Sequence, residues 1–254
     1  MNEPSFERAA GDWALRQREA RVWFDGPLGR LLLARQQVLL EAQLASHFGS
    51  FLLHYGVSGG PLACRQITHS VRLGPTQPGV ELVCEEWAWP VREHAADVVL
   101  LQHGLDFAAS PHQLLREAAR CVRPGGHLLI VGIHPWSLWG LRRLLAADAL
   151  AQARCIAPAR LGDWLHLLGF ALENRRFGCY CPPLCAPRWQ RRLQGVEAWA
   201  ERLQLPGGGL YLLAARKLVA GLRPLPQPRR ASVGALRPVP LAKVGRHPGK
   251  KEHD

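Results

Sequence analysis

A glycine-rich turn with a serine at its centre is the first segment of the chain that could do chemistry. It follows an apolar run at 51–55 and reads Gly56-Val57-Ser58-Gly59-Gly60. As G-x-S-x-G it matches the strand-to-helix turn that exposes a serine nucleophile in hydrolases. No glycine-rich oxyanion segment precedes it, and Pro61 directly after it disfavours the helix that such a serine requires. Ser58 as a hydrolase nucleophile is therefore the less favoured of two interpretations.

The second interpretation is a turn that holds a nucleotide-like ligand, because glycines let the backbone approach a bound group closely. Four later segments support it by their order and spacing. They are EEWAWPV (85–91), ADVVLLQHGLDF (96–107), LLREAARCVRPGGHLLIVG (114–132) and RLGDWLHLLGF (160–170). With the turn, they resemble the corresponding motifs of the class I S-adenosylmethionine-dependent methyltransferases, particularly the type 11 group. The resemblance covers roughly residues 28 to 217.

This resemblance implies a cofactor, S-adenosylmethionine, and a set of residues that bind it. The turn would lie against its methionine part, the acidic segment after the third strand against adenine, and the loop after the fourth strand near the sulfonium carbon and the methyl acceptor. The cofactor-binding residues that it implies are His54, Tyr55, Gly56, Val57, Ser58, Gly60, Glu85, Glu86, Trp87, Gln102 and His103. No catalytic base is assigned, because the sulfonium carbon is already a good electrophile and the fold mainly supplies orientation.

Two departures from the family pattern concern the cofactor. His54 and Ser58 replace the acidic residue and the middle glycine of the turn, and no acidic residue lies between His69 and Gly79 to bind the ribose. Lost hydrogen bonds of this kind cost ~1–3 kcal/mol each. A non-catalytic protein of the same fold, acting through partner or RNA binding, therefore remains the alternative to a methyltransferase with a small or lipophilic acceptor.

The elements that must position these residues alternate between apolar strands and amphipathic helices, which predicts a parallel sheet covered on both faces. The resemblance extends this to a doubly wound α/β fold with a mostly parallel, seven-stranded sheet and an antiparallel last strand. Ser110 and Gly125 are predicted to cap the helix before the fifth strand. We expect a helical segment at 1–48 packing on the core, a Rossmann-like methyltransferase domain at 49–218, and a basic, proline-rich disordered tail at 219–254.

Composition limits the other classes of function. The net charge is +12, half of it in residues 221–254, and this distribution does not favour a nucleic-acid role over non-specific contacts of the tail with RNA or anionic membrane. Seven cysteines without an export signal or an apolar run long enough to span a membrane predict a cytoplasmic protein. Cys179-x-Cys181-x3-Cys185 lacks a fourth ligand at familiar zinc spacing, so no metal site is predicted.

Overall fold

The computed structural model of the protein describes residues 3–57, 62, 66–183, 195, 197 and 199–219, with side chains from Trp13 onward. Its centre is a seven-stranded sheet in the order β3-β2-β1-β4-β5-β7-β6. The strands are β1 (Gly49–Gly56), β2 (Ile67–Gly74), β3 (Leu82–Val83), β4 (Ala96–Gln102), β5 (Val122–Ile133), β6 (Phe170–Gly178) and β7 (Leu210–Lys217). The predicted disordered tail lies, from residue 220 on, outside the described residues.

Strand directions confirm the predicted fold class. The first five strands are paired in parallel, and β7 runs antiparallel to both β5 and β6. All seven residues of β4 are buried, as expected for a strand covered on both faces. Because β1 and β4 are parallel and adjacent, their carboxyl ends meet at one edge, where Gly56 lies opposite Gln102.

Five α-helices with defined bounds accompany the sheet, and the described residues 195, 197 and 199–203 are also helical. The five are α1 (Glu3–Asp25), α2 (Pro27–Leu44), α3 (Pro111–Cys121), α4 (Leu138–Arg142) and α5 (Pro158–Leu167). Short 3₁₀ helices follow α4 at Arg143–Leu145 and Ala149–Gln152. None of the described helices is both long enough and apolar enough to cross a membrane.

The N-terminal helices cover part of the sheet that the chain between β1 and β2 is too short to cover. Only residues 57–66 join these parallel strands, whereas a helical crossover takes about a dozen residues or more. Leu40 and Leu44 of α2 instead pack with Leu52 and Leu100 in one apolar cluster. Helices α3 and α5 contribute to a separate cluster with the side chains that alternate with these along β1 and β4.

The predicted end of the helix before β5 is wrong. Helix α3 ends at Cys121, and Val122 already begins β5. Gly125 lies inside that strand with φ of 79°, where the register with β4 shifts between Ala96 and Val98. Two steps along β4, from Ala96 to Val98, face five steps along β5, from Val122 to His127, so β5 holds three extra residues there. A left-handed glycine accommodates such an irregularity, and sequence alone cannot distinguish it from a helix terminus. Ser110 is the N-cap residue, but its side chain makes no capping hydrogen bond.

Two glycines test the corner between α1 and α2. A Cβ on Gly29 would lie 2.3 Å from Cα of Phe24, whereas one on Gly162 of α5 would meet nothing within 4 Å. We expect Gly29→Ala to lower the free energy of unfolding by about 1–3 kcal/mol, because backbone must move. Gly162→Ala should raise it by about 0.5–1 kcal/mol, because it only removes backbone freedom from the unfolded chain. Urea unfolding measures both, and a Gly29→Ala protein as stable as Gly162→Ala would contradict the described corner.

Candidate functional site

A cleft of about 1130 Å³ opens at the carboxyl ends of β2 and β3, with α1 as its third wall. Ligands of open parallel sheets bind at this edge. Arg21 of α1 bridges the cleft wall, since its Nη1 donates to Oε1 of Gln77 in the β2–β3 loop at 3.2 Å. The remaining charged side chains that line the cleft are Arg18, Asp25 and Glu85. Two guanidinium groups and two carboxylates therefore balance in formal charge.

Of the two adjacent predicted acidic residues, only Glu85 lines the cleft. Glu86 turns the other way and is buried, and its carboxylate accepts the backbone N–H groups of Ala109 at 2.8 Å and Ser110 at 3.0 Å. Burial raises the pKa of Glu86, and these two hydrogen bonds oppose part of the rise. Glu86 thus fixes the start of α3. Trp87 is half-buried, with its ring centroid 6.5 Å from that of Trp13.

His54 replaces the family's acidic residue, and its imidazole is buried. Its Nε2 lies 2.7 Å from Oε1 of Gln102. Burial, reinforced by the positive charge of Arg72, lowers the pKa of His54 to about 4. The neutral ring therefore donates Nε2–H to Gln102. Tyr55, the next residue, points to the opposite face and stacks on Trp89 at 5.5 Å.

The glycine-rich turn is described only at its start. A Cβ on Gly56 would lie 2.3 Å from the backbone oxygen of Gln102, so the neighbouring strand already requires glycine there. Val57 is buried and packs in the apolar cluster that contains Phe24 and Trp139. Ser58 and Gly60 lie outside the described residues, so their predicted roles stay predictions.

The loop after β4, predicted to face the reacting methyl group, is buried. His103 is fully buried, and its backbone adopts φ of 54°. Its Nδ1 lies 2.9 Å from Oδ2 of Asp106, and its Nε2 lies 2.7 Å from Oε1 of Gln36 on α2. The ring of Phe24 from α1 packs on the imidazole of His103, with their ring centroids 4.7 Å apart. Gln102 and His103 therefore both lie at the carboxyl end of β4, as predicted, but the N-terminal helices separate them from solvent.

Sequence reasoning missed the contribution of α1 to the cleft. Asp25 and Arg21 precede the glycine-rich turn by about thirty residues and belong to no motif of the chain. Asp25 lines the cleft together with Thr76 and Gln77, which follow β2, the strand after which the predicted ribose-binding acid was missing. No spacing rule indicates this pairing, because only the packing of α1 against the β2–β3 loop brings these residues together.

A group of exposed apolar side chains lies beyond β5. Trp136 is 84% exposed and Leu145 is 87% exposed. Leu138, Leu141 and Leu144 between them are also exposed, whereas Trp139 is buried and donates its Nε1–H to the carbonyl of Cys181 at 2.9 Å. A contiguous group of this kind is typical of a surface that contacts an apolar partner or ligand. We call residues 136–145 the α4 segment.

Comparisons with known proteins concern the family and the fold of the chain. The family model described as a methyltransferase domain matches residues 44–130. The uncharacterized protein YafS of Escherichia coli (strain K12) is 32% identical over 161 residues, which are 61% of this chain and 67% of that protein.

Two solved structures share the fold at low sequence identity. A protein solved in complex with the Trm112 methyltransferase activator of Haloferax volcanii aligns with a TM-score of 0.57 and 14% identity, over 79% of this chain and 98% of that chain. An S-adenosylmethionine-dependent methyltransferase of Thermotoga maritima aligns with a TM-score of 0.52 and 18% identity, over 84% of this chain and 95% of that chain.

The buried histidine at position 54 predicts a pH dependence of stability. Its folded pKa of about 4 lies below the ordinary value of 6.5, so the unfolded chain takes up this proton first as the pH falls. The contribution of the neutral His54 to the free energy of unfolding is fully present above pH 6.5 and is lost between pH 6.5 and about 4. That loss is about 3 kcal/mol for His54. His47, whose pKa burial also lowers to about 4, adds in the same direction.

Urea unfolding at about pH 7.5 and about pH 4.5 measures this loss. His54→Gln keeps a neutral hydrogen-bonding side chain and should reduce the difference between the two pH values. His69→Gln, at an exposed position of β2, serves as the control and should leave that difference unchanged. Equal pH dependence in the wild type and His54→Gln would mean that the imidazole is not buried as described.

Proposed function

Because this chain belongs to the class I S-adenosylmethionine-dependent methyltransferases, we propose that it transfers a methyl group from S-adenosylmethionine to a small or lipophilic acceptor. The observation that supports this most directly is the cleft at the carboxyl ends of β2 and β3, which carries Glu85 on the segment after β3. In the family to which the chain belongs, an acidic residue at that position meets the adenine amino group. Thr76, Gln77 and Asp25 add polar groups beside it.

The residues present fit the adenosine half of the cofactor. Val83, Ala88 and Pro90 supply an apolar surface for a flat base, and Glu85 supplies the acceptor oxygen that an exocyclic amine requires. Asp25 offers the ribose hydroxyls the carboxylate that β2 does not supply. When bound, the cofactor supplies an electrophilic methyl group on a sulfonium ion, and the chain's part is to orient it and exclude water.

The reactive end places a further demand on the chain. Gln102 and His103 would face the sulfonium carbon. However, Phe24 of α1 packs on His103, so α1 covers the loop that holds both residues. We infer that the acceptor enters when the end of α1 moves away from this loop. His103 remains tied to Asp106 and Gln36, so its part in the reaction is to form the wall and hold the loop, not to accept a proton.

Cofactor binding is tested by thermal unfolding with S-adenosylmethionine and with S-adenosylhomocysteine. Both ligands should raise the midpoint in proportion to RT ln(1 + [L]/Kd). Glu85→Gln and Asp25→Asn should each weaken binding by about ten- to a hundredfold, because each loses a charged acceptor worth ~1–3 kcal/mol. Glu93→Gln, an exposed substitution that does not affect the described cleft lining, is the matched control. The absence of any shift at millimolar ligand in the wild type would overturn the cofactor assignment.

The α4 segment favours a lipophilic acceptor over a purely polar one. Its five exposed apolar side chains follow β5 at the carboxyl edge, the same edge at which the cleft opens. Arg142 and Arg143 lie among them. An apolar surface bordered by arginine is suited to an amphipathic molecule with an anionic head group.

The acceptor class is tested by following the methyl group. We expect radiolabel from the methyl group of S-adenosylmethionine to enter the lipid-soluble or small-molecule fraction of a cell extract, and Trp136→Ser with Leu145→Ser to reduce transfer to the lipid-soluble fraction. The same double variant should bind the cofactor as the wild type does, because neither residue lines the described cleft. Label confined to the RNA or protein fraction would contradict the proposed acceptor.

A non-catalytic protein of this fold is the second candidate. The closed loop at His103 and the two missing acidic residues favour it, since the first blocks the entry of an acceptor and the second weakens cofactor binding. Stable cofactor binding without label in any fraction would support this candidate. The hydrolase interpretation requires Ser58, so an esterase activity lost in Ser58→Ala with cofactor binding unchanged would restore it.

A further inference from the structure

A cluster of two thiols and a carboxylate lies outside the cleft, at the end of β6. The sulfur atoms of Cys179 and Cys181 and a carboxylate oxygen of Glu197 all lie within 4.8 Å of one another. All three residues are buried. The cysteines are two residues apart, but Glu197 comes from a later segment of the chain, which is why the cysteine spacing alone gave no metal site.

The distance between the two sulfur atoms suits a shared metal ion. It is 3.6 Å. Two thiolates at ~2.3 Å from one tetrahedral zinc ion lie about 3.8 Å apart. A disulfide requires ~2.05 Å between its sulfurs, so the pair is not positioned as a disulfide. The separation is therefore close to that expected for two ligands of one ion.

The carboxylate of Glu197 has one oxygen free for such an ion. Arg35 of α2 binds Oε2 at 2.9 Å, and the side chain of Glu197 is only 4% exposed. Oε1 is buried and accepts no hydrogen bond of normal geometry in the described part of the chain, although the thiol and the backbone of Cys181 lie beside the carboxylate. A buried acceptor left without such a hydrogen bond costs about 1–3 kcal/mol or more, so its persistence needs an explanation. A cation at the sulfur pair would provide one.

We propose that Cys179, Cys181 and Glu197 bind one zinc ion through the two sulfur atoms and Oε1, with Arg35 orienting the carboxylate. Each thiol releases its proton on binding, so two thiolates, one carboxylate, one guanidinium and the divalent ion sum to zero charge in a buried site. Two soft sulfur donors with one oxygen donor match zinc, and the described residues supply three of its four tetrahedral ligands.

The surrounding fold holds both cysteines in place without the ion. Cys179 has φ of 59°, a left-handed conformation that costs a non-glycine residue of order 1 kcal/mol or more. Its carbonyl accepts the N–H of Gly209 at 2.8 Å, just before β7, and the carbonyl of Cys181 accepts from Trp139. The zinc ion would join this fixed segment to Glu197 and, through Arg35, to α2. Its role is therefore to fasten the end of β6 to the helices.

Metal analysis and cobalt substitution test the site on the full-length chain. Protein purified with zinc should contain one zinc per chain. After removal of zinc, titration with Co²⁺ should produce a thiolate-to-cobalt charge-transfer band in the near ultraviolet. Cys179→Ser with Cys181→Ser should abolish the band and the stoichiometric zinc. Glu197→Gln should keep a weaker band, and Arg35→Gln should weaken zinc binding by about ten- to a hundredfold.

Controls separate the site from general thiol reactivity and from misfolding. Cys121→Ser removes a buried thiol at the end of α3 and should leave the zinc content and the cobalt band unchanged. Circular dichroism identifies any variant that fails to fold. In that case the zinc content of the wild type and the cobalt band of its metal-free form test the proposal alone. Wild-type protein without stoichiometric zinc and without a cobalt band overturns the proposal, as does a band that persists in the folded double variant. Cofactor binding is measured separately, so the two proposals fail independently.

Discussion

A buried imidazole joins the carboxyl edge of the sheet to the N-terminal helices, and the arrangement of the site depends on this contact. His103 lies between Gln36 of α2 and Asp106, and Asp106 also accepts the backbone N–H of Ile133 at the end of β5. Buried polar groups cost free energy unless they are hydrogen-bonded, so α2 is stable in few positions relative to β4 and β5. Phe24 of α1 packs on the same ring.

The position of α2 then determines what is open and what is closed. Helix α1 joins α2 at the corner near Gly29 and lies beside the β2–β3 loop. The adenosine end of the site is therefore an open cleft with α1 as one wall. The same helices bury the loop after β4. A family in which orientation supplies most of the rate needs its reactive end shielded from water, but an acceptor must still enter. The movement of α1 that we propose would reconcile these two requirements.

The carboxyl edge also explains why a second polar cluster lies so close to the site. The last strand β7 runs antiparallel between β5 and β6, so β6 ends at the same edge as β1, β4 and β5. The chain leaving β6 meets α4 and α2 there, which brings Cys179 and Cys181 next to Glu197 and Arg35. Cleft, closed loop and thiol cluster are thus three consequences of one topology.

Sequence by itself determined the family, the parallel sheet and the start of the helix before β5 at Ser110, because these depend on local periodicity and on motifs in order. It could not separate Glu85 from Glu86, since adjacent carboxylates differ only in which way the backbone turns them. It also could not predict that Asp25 lines the cleft. Such pairings lie far apart in the chain, and only packing in three dimensions decides them, because it selects which polar groups are buried together.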